Sequence, residues 1–190
     1  MTSEPIRLYY DFTDPLSWLV GHEVERWAGT SGVSVSWIGV EQNPPPNPLL
    51  GADEEQVVRQ WDEALTAGEP VLSRPTLPFV PWTRKAHELV RLAEAEGDPA
   101  KTRREIFAAY LSRGEDIGRV DVLVELARSL GFDRTHAKAV LDVDRFEAAV
   151  AEATASALAR GIHETPSLEW RGKKLSGFHD PGTVLTFLGT

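Results

Sequence analysis

The residue types best suited to chemistry lie close together in the run Leu8-Tyr9-Tyr10-Asp11-Phe12-Thr13-Asp14-Pro15-Leu16-Ser17-Trp18. Asp14-Pro15 is a strong helix start: the Asp side chain accepts from otherwise unpaired backbone N–H groups, and Pro fits the first helical position because it lacks a donor that would be unused there. Asp14 would then sit at the positive end of a helix, where its carboxylate can act as a general base toward a bound substrate or serve only as a cap. Asp180-Pro181 repeats the pair at a place where no chemistry is expected. The helix dipole lowers the pKa of such a carboxylate, and burial raises it. Ser17, one turn on, can donate to a substrate oxygen or thiolate, but no His or Lys adjoins it to make it a nucleophile. Near the other end of the chain Thr165-Pro166 precedes an apolar segment; an X-Pro bond reaches the cis form at modest cost, and such a turn leaves backbone groups free to pair with an extended ligand. His163, beside it, is the histidine to test as an acid or base. The five histidines show no metal-ligand spacing, so no metal site is expected.

Composition narrows the chemistry. The chain has 190 residues, 42% of them hydrophobic, with six Trp, enough for one sizeable core and too few for two ordinary domains. It has no cysteine, which removes disulfides, a thiolate nucleophile, iron–sulfur clusters and dithiol redox chemistry. A net charge of -9 without a clustered Lys/Arg run argues against nucleic acid and leaves a small molecule as the expected partner. The start, Met1-Thr2-Ser3-Glu4-Pro5, lacks a basic region followed by an apolar one, and no apolar run approaches the roughly 20 residues of a membrane span, so a soluble, cytoplasmic protein with no membrane partner is expected.

The elements that must position these residues follow from periodicity. Leu8 to Phe12 reads as a buried strand feeding a helix from Pro15, with Leu16, Leu19, Val20, Val24 and Trp27 on its apolar side and an end near Gly29 to Gly32. Val33 to Val40 reads as a second strand, which makes a right-handed βαβ unit with parallel strands. Pro44, Pro45, Pro46 and Pro48 then break regular structure. A short helix is expected over 53–67, ended by Gly68, with extended chain from Pro70 to Pro81. Helical stripes follow: Ala86, Leu89, Val90 and Ala93; Ile106, Phe107, Tyr110 and Leu111; Val120, Leu123, Val124, Ala127 and Leu130 up to Gly131. Asp133 can cap a short helix, and Asp144 with Glu147 resembles a capping box opening a long helix that carries Phe146, Val150, Ala153 and Leu158. Strands at Ser167 to Trp170 and Lys174 to Ser176 flank a turn at Arg171-Gly172-Lys173, and Asp180-Pro181 opens a final helix through Leu188. The fold class is α/β, a thioredoxin order (βαβ, then ββα) with an all-helical insertion between the second and third strands. The divisions are 1–52 for the first half, 53–143 for the insertion and 144–190 for the long helix and second half.

Several separated motifs resemble the DsbA-like branch of the thioredoxin superfamily. Asp11-x-x-Asp14-Pro15-Leu16-Ser17-Trp18 is similar to that family's strand-to-helix corner, usually Cys-Pro-x-Cys, with Asp14 and Ser17 at the two cysteine positions. It is closer to the Ser-Pro-x-Ser corner of hydroxychromene-carboxylate isomerases and kappa-class glutathione transferases. Pro81-Trp82-Thr83-Arg84-Lys85-Ala86-His87 looks like the family's Pro-Asn-Thr-x-x-Ala-His helix start. Gly161-Ile162-His163-Glu164-Thr165-Pro166 resembles its Gly-Val-x-Gly-x-Pro stretch. The resemblance implies a cis Thr165-Pro166 bond facing the Asp14 corner. It places Asp14 and Ser17 as catalytic residues and Thr165, Pro166, Trp18, Trp82 and His163 on the substrate or thiol side, with Trp82 able to stack on a planar ligand. Two functions stay open. One is a non-redox isomerase or transferase acting on a small carbonyl or aromatic acid, with glutathione or an equivalent low-molecular-weight thiol supplying the nucleophile this chain lacks. The other is an inactive thioredoxin-fold binding module, which family similarity alone would label a disulfide oxidoreductase. A homodimer remains open as well.

Overall fold

The computed structural model describes residues 4–67 and 72–189. Its elements run β1 (Ile6–Tyr10), α1 (Pro15–Ser31), β2 (Val35–Gly39), β3 (Leu50–Gly51), α2 (Glu55–Thr66), β4 (Phe79–Val80), α3 (Arg84–Glu96), α4 (Pro99–Leu111), α5 (Val120–Ser129), α6 (Arg134–Asp142), α7 (Glu147–Ala159), β5 (Ser167–Trp170), β6 (Lys173–Ser176) and α8 (Pro181–Gly189). The main sheet has the order β2-β1-β5-β6, with β1 parallel to β2 and antiparallel to β5. This is the thioredoxin arrangement, and α2 to α6 form the insertion.

Strand β1 lies at the centre because both its faces are apolar enough to be covered. Ile6 and Leu8 pack with Val20, Val24 and Ala28 of α1, Leu168 and Trp170 of β5, and Val184 and Leu188 of α8. Tyr9, on the opposite face as the two-residue period demands, packs with Val40, Ala157 and Ile162. Past the strand end, Tyr10 and Phe12 enter the larger core built by the insertion, where Phe12 lies 4.8 Å from Phe107. The corner after β1 is thereby anchored to three layers, and each fully buried side chain of this kind contributes about 1.5–3 kcal/mol. Helix α1 stops at Gly32, whose left-handed φ of 67° closes the helix as Gly does without strain.

Some expectations are corrected. Asp144 does not cap a helix with Glu147: it takes a positive φ of 54° and pairs with Lys85, and α7 starts only after Phe146. Leu158 is exposed, and Val150 and Ala157 carry the buried face of α7. The last hairpin turn is shorter than expected. Arg171 and Gly172 alone form it, both at positive φ, and Lys173 is already in β6. The proline-rich returns also carry a small antiparallel ladder, Leu50 with Val80 and Gly51 with Phe79, which ties the loop after β2 to the start of α3. Gly68 and Pro70, the expected helix end and strand start, lie outside the described residues, as do Met1, Thr2 and Ser3.

Candidate active site

The corner between β1 and α1 forms around a buried carboxyl. Asp14 caps α1 in an extended conformation, and its Oδ1 accepts from the Leu16 backbone N–H at 3.0 Å. Its Oδ2 accepts from the Ser17 hydroxyl at 2.6 Å and from the Thr165 hydroxyl at 2.9 Å. The Thr165-Pro166 bond is cis, and the antiparallel pairing of β5 with β1 brings it against the helix start.

Three Asp-Pro pairs start helices in this chain, and they separate the effect of capping from that of burial. Asp98 and Asp180 cap α4 and α8 on the surface, where hydrogen bonds from backbone N–H groups, and from Thr183 for Asp180, hold their carboxyls below the usual range. Asp14 makes the same kind of cap but is only 3% exposed, and burial pushes its pKa up to about 7. The hydrogen bonds from Ser17, Thr165 and Leu16 pull the other way, and the charge of Asp11 adds to the rise. Desolvation of the charged form outweighs the cap.

Behind Asp14 stands a second buried carboxylate. Asp11 Oδ1 accepts from Phe12 N at 2.8 Å and faces His87 Nε2 at 3.1 Å, while Oδ2 accepts from Gln42 N at 2.8 Å. The Asp11 N–H reaches Ser17 Oγ at 3.4 Å, so one hydroxyl joins the two acidic residues. His87 of α3 fits because Gly39 has no side chain: a Cβ there would lie 2.3 Å from His87 Nδ1. One layer further out, Arg84 grips Glu41 with Nε and Nη2 at 3.1–3.2 Å and Glu147 with Nη1 at 2.6 Å, tying the helical insertion to β2 and α7. Burial raises the pKa of Glu41, and the Arg84 guanidinium opposes that rise.

Asp14 and Asp11 line a cavity of about 240 Å³. Its other walls are Thr13, the loop residues Gln42 and Asn43, the α2 residues Gln56, Arg59 and Gln60, and Pro81 and Thr83 beside Leu50, Val57 and Val80. A buried carboxyl with a pKa near neutrality, at the edge of a small cavity, can exchange a proton with a bound molecule at physiological pH.

Of the residues singled out in the sequence, Asp14, Ser17, Thr165 and Pro166 come together. Ser17 is 0% exposed and donates its hydroxyl hydrogen to Asp14, so it positions the carboxyl. Thr165 likewise turns its hydroxyl to Asp14. The other three stand apart. Trp18 packs between His22 and Phe107 at 5.0 and 5.5 Å, half-buried against the core of the insertion. Trp82 is 37% exposed and donates its indole N–H to the Asn47 carbonyl at 3.2 Å, which makes it a strut for the proline loop. His163 is exposed. None of these three lines the cavity. Sequence reasoning gave no role to Asp11, His87, Gln42 or Arg59. The signals present were the position of Asp11 at the end of a buried strand and of His87 on the buried stripe of α3. Among the described residues no group of His, Asp or Glu is arranged to hold a metal ion, and no helix is long and apolar enough to cross a membrane.

Comparison with known proteins agrees with this architecture. The model of the DSBA-like thioredoxin domain family matches residues 5–189. A 2-hydroxychromene-2-carboxylate isomerase has a similar solved structure, with a TM-score of 0.75 and 17% identity over 98% of this chain and 93% of that one. A probable DsbA oxidoreductase from Streptomyces coelicolor gives 0.79 at 18% identity over 97% and 88%. The cytosolic disulfide reductase DsbM from Pseudomonas aeruginosa, solved with GSH, gives 0.65 at 18% identity over 98% of each chain. Among curated proteins, the uncharacterized protein YwbO of Bacillus subtilis is 22% identical over 150 residues, 75% of this chain and 74% of that one.

Proposed function

This chain belongs to the family of DSBA-like thioredoxin domains, and we propose that it is a cysteine-free, non-redox member of it: an isomerase or transferase acting on a small carbonyl-containing acid. The observation that carries the reading is Asp14, a buried carboxyl with its pKa pushed to about 7 at the edge of a small cavity with polar and apolar walls. In its ionised form it takes a proton from a hydroxyl-bearing carbon next to a substrate carbonyl; the C–H electron pair becomes the C=C bond of an enediolate as the C=O π pair moves onto oxygen. The hydroxyl proton passes to that oxygen, Asp14 returns its proton to the former carbonyl carbon, the carbonyl forms at the other carbon, and Asp14 is again a carboxylate. Ser17 and Thr165 both donate to Oδ2 while the Leu16 N–H holds Oδ1, and by donating to the ionised form they keep the pKa from rising beyond a useful range.

A low-molecular-weight thiol, glutathione or an equivalent, is the co-substrate we propose for the transferase branch of this reading. Its supports are the backbone N–H and C=O of Thr165, which make no hydrogen bond with the described residues, and the fold neighbour solved with GSH. It would bind along the cis-Pro edge and not on the first donors of α1, because Asp14 already accepts from Leu16 N. A cytosolic setting goes with this proposal.

The binding-module reading rests on a different observation. The Asp14 carboxyl already receives three hydrogen bonds, as a purely structural cap would. Incubating the protein in D2O with a panel of small oxo acids and following C–H signals by NMR separates the two readings. Catalysed exchange that is lost in Asp14→Asn and kept in Asp180→Asn supports the enzyme; no exchange with any acid, or equal exchange in both variants, leaves a binding module.

A further inference from the structure

We propose that Arg59 of α2 makes the cavity selective for a small, hydroxylated, non-aromatic carboxylate. This inference rests on the function proposed above and names its substrate class. Among the described residues the cavity wall holds one cationic side chain and two acidic ones. Asp11 is held by Phe12 N, Gln42 N and His87, and Asp14 by Leu16, Ser17 and Thr165. Arg59 has no ion pair or hydrogen bond among the described residues, although Glu55 and Glu63 lie one turn to either side of it. A guanidinium with no partner among the described residues, at a cavity mouth, presents a planar fork of donors that matches a carboxylate.

The rest of the wall decides what the carboxylate is attached to. Arg59 and Gln60 follow Gln56 at the three- and four-residue spacings that share a helix face, while Trp61 and Ala64 turn to the core. Gln42, Asn43, Thr13 and Thr83 add amides and hydroxyls beside the apolar Leu50, Val57, Val80 and Pro81, and no aromatic ring is among these lining residues. Side chains of this kind pair with hydroxyl and carbonyl oxygens, and they would be stripped of water without compensation by a flat apolar ring. The volume of about 240 Å³ also suits a compact molecule better than a fused aromatic acid. Helix α2 belongs to the insertion, so on this account the thioredoxin half supplies the proton-handling group and the insertion supplies the selectivity.

The test uses three probes that vary one property at a time. Hydroxypyruvate carries the carboxylate, carbonyl and hydroxyl. Dihydroxyacetone replaces its carboxylate with a neutral hydroxymethyl group, and phenylpyruvate keeps the carboxylate but replaces the hydroxyl with a phenyl ring. Dissociation constants come from NMR titration of the 15N-labelled protein. Hydroxypyruvate is expected to bind at least about tenfold more tightly than either other probe, with shifts at Asp14, Gln42 and Arg59. Arg59→Gln should weaken hydroxypyruvate by about tenfold or more and leave dihydroxyacetone unchanged, and Arg59→Lys should recover part of the loss. Arg59 is exposed, so these variants should keep the melting temperature of the parent. Equal binding of hydroxypyruvate and dihydroxyacetone, tighter phenylpyruvate, no binding at tens of millimolar, or indifference to Arg59→Gln would each overturn the proposal. Deuterium uptake at C3 of hydroxypyruvate is scored separately: Arg59-dependent binding without uptake refutes the proton transfer and leaves the specificity, and uptake unaffected by Arg59→Gln does the reverse.

Discussion

Asp14→Asn should stabilise the protein at neutral and alkaline pH while abolishing its activity, and the stability half of that statement can be worked from the structure. In the unfolded chain the carboxyl titrates at its ordinary 3.8; in the folded protein burial moves it to about 7. A carboxyl whose folded pKa is raised binds more protons folded than unfolded between those values, so the native state loses stability as pH rises through that window. The slope is about 1.4 kcal/mol per pH unit, and the total over roughly three units is about 4 kcal/mol. Asparagine has no such charge to bury. Its carbonyl can accept from Leu16 N, and the hydroxyls of Ser17 and Thr165 can turn to accept from its amide, a rearrangement expected to cost about 1 kcal/mol. The variant should therefore lie about 1 kcal/mol below the parent near pH 4 and exceed it by about 3 kcal/mol at pH 8. Urea unfolding of both proteins at half-unit steps from pH 4.5 to 8.5 measures the difference. A difference that stays flat with pH would show that Asp14 ionises normally and would refute the burial argument; a variant less stable at pH 8 would show that the charge–dipole interaction outweighs desolvation. On an identified oxo-acid substrate, turnover of the variant should fall by about a hundredfold or more.

Ser17→Ala and Thr165→Val each remove a donor that favours the ionised carboxyl, so each should move the rising limb of the pH–rate profile above its parental position near pH 7, measured as kcat/KM against pH. Arg84→Leu leaves Glu41 buried without its partner and should cost about 3–5 kcal/mol in urea unfolding, a loss that shrinks as pH falls and Glu41 takes up a proton, while the paired change Glu41→Gln with Arg84→Leu should recover much of it. Insulin reduction by the protein alone should stay at background, since neither Asp14 nor Ser17 can exchange a disulfide; any turnover above background would contradict that chemistry.

The sequence by itself determined the order of elements and the corner. Residue types with strong local consequences did this: Asp-Pro pairs at 14 and 180 cap helices, Gly32 stops one, the Arg171-Gly172 turn closes a hairpin, and the absence of cysteine removes dithiol chemistry outright. Local pattern misled at Asp144 and Glu147, where the spacing of a capping box was present but Lys85, distant in sequence, drew the Asp144 carboxylate away. Trp18, Trp82 and His163 do not line the cavity beside Asp14, because proximity in the chain to a reactive corner does not say toward which side of the helix or loop a side chain turns.

Only the tertiary structure decided the charge state of the site and its walls. Asp14, Asp98 and Asp180 share one local motif, yet burial raises the pKa of the first while hydrogen bonding at the surface lowers the other two. Burial is a sum over β1, α1, the Thr165-Pro166 turn and the insertion, and no window of sequence contains that sum. His87 meets Asp11 across 76 positions, and Arg59 reaches the cavity because α2 is packed over the β1–α1 corner by Val57 and Trp61. Capping depends on neighbours a few bonds away and can be read along the chain, whereas desolvation and the placing of Arg59 depend on which distant surfaces come together.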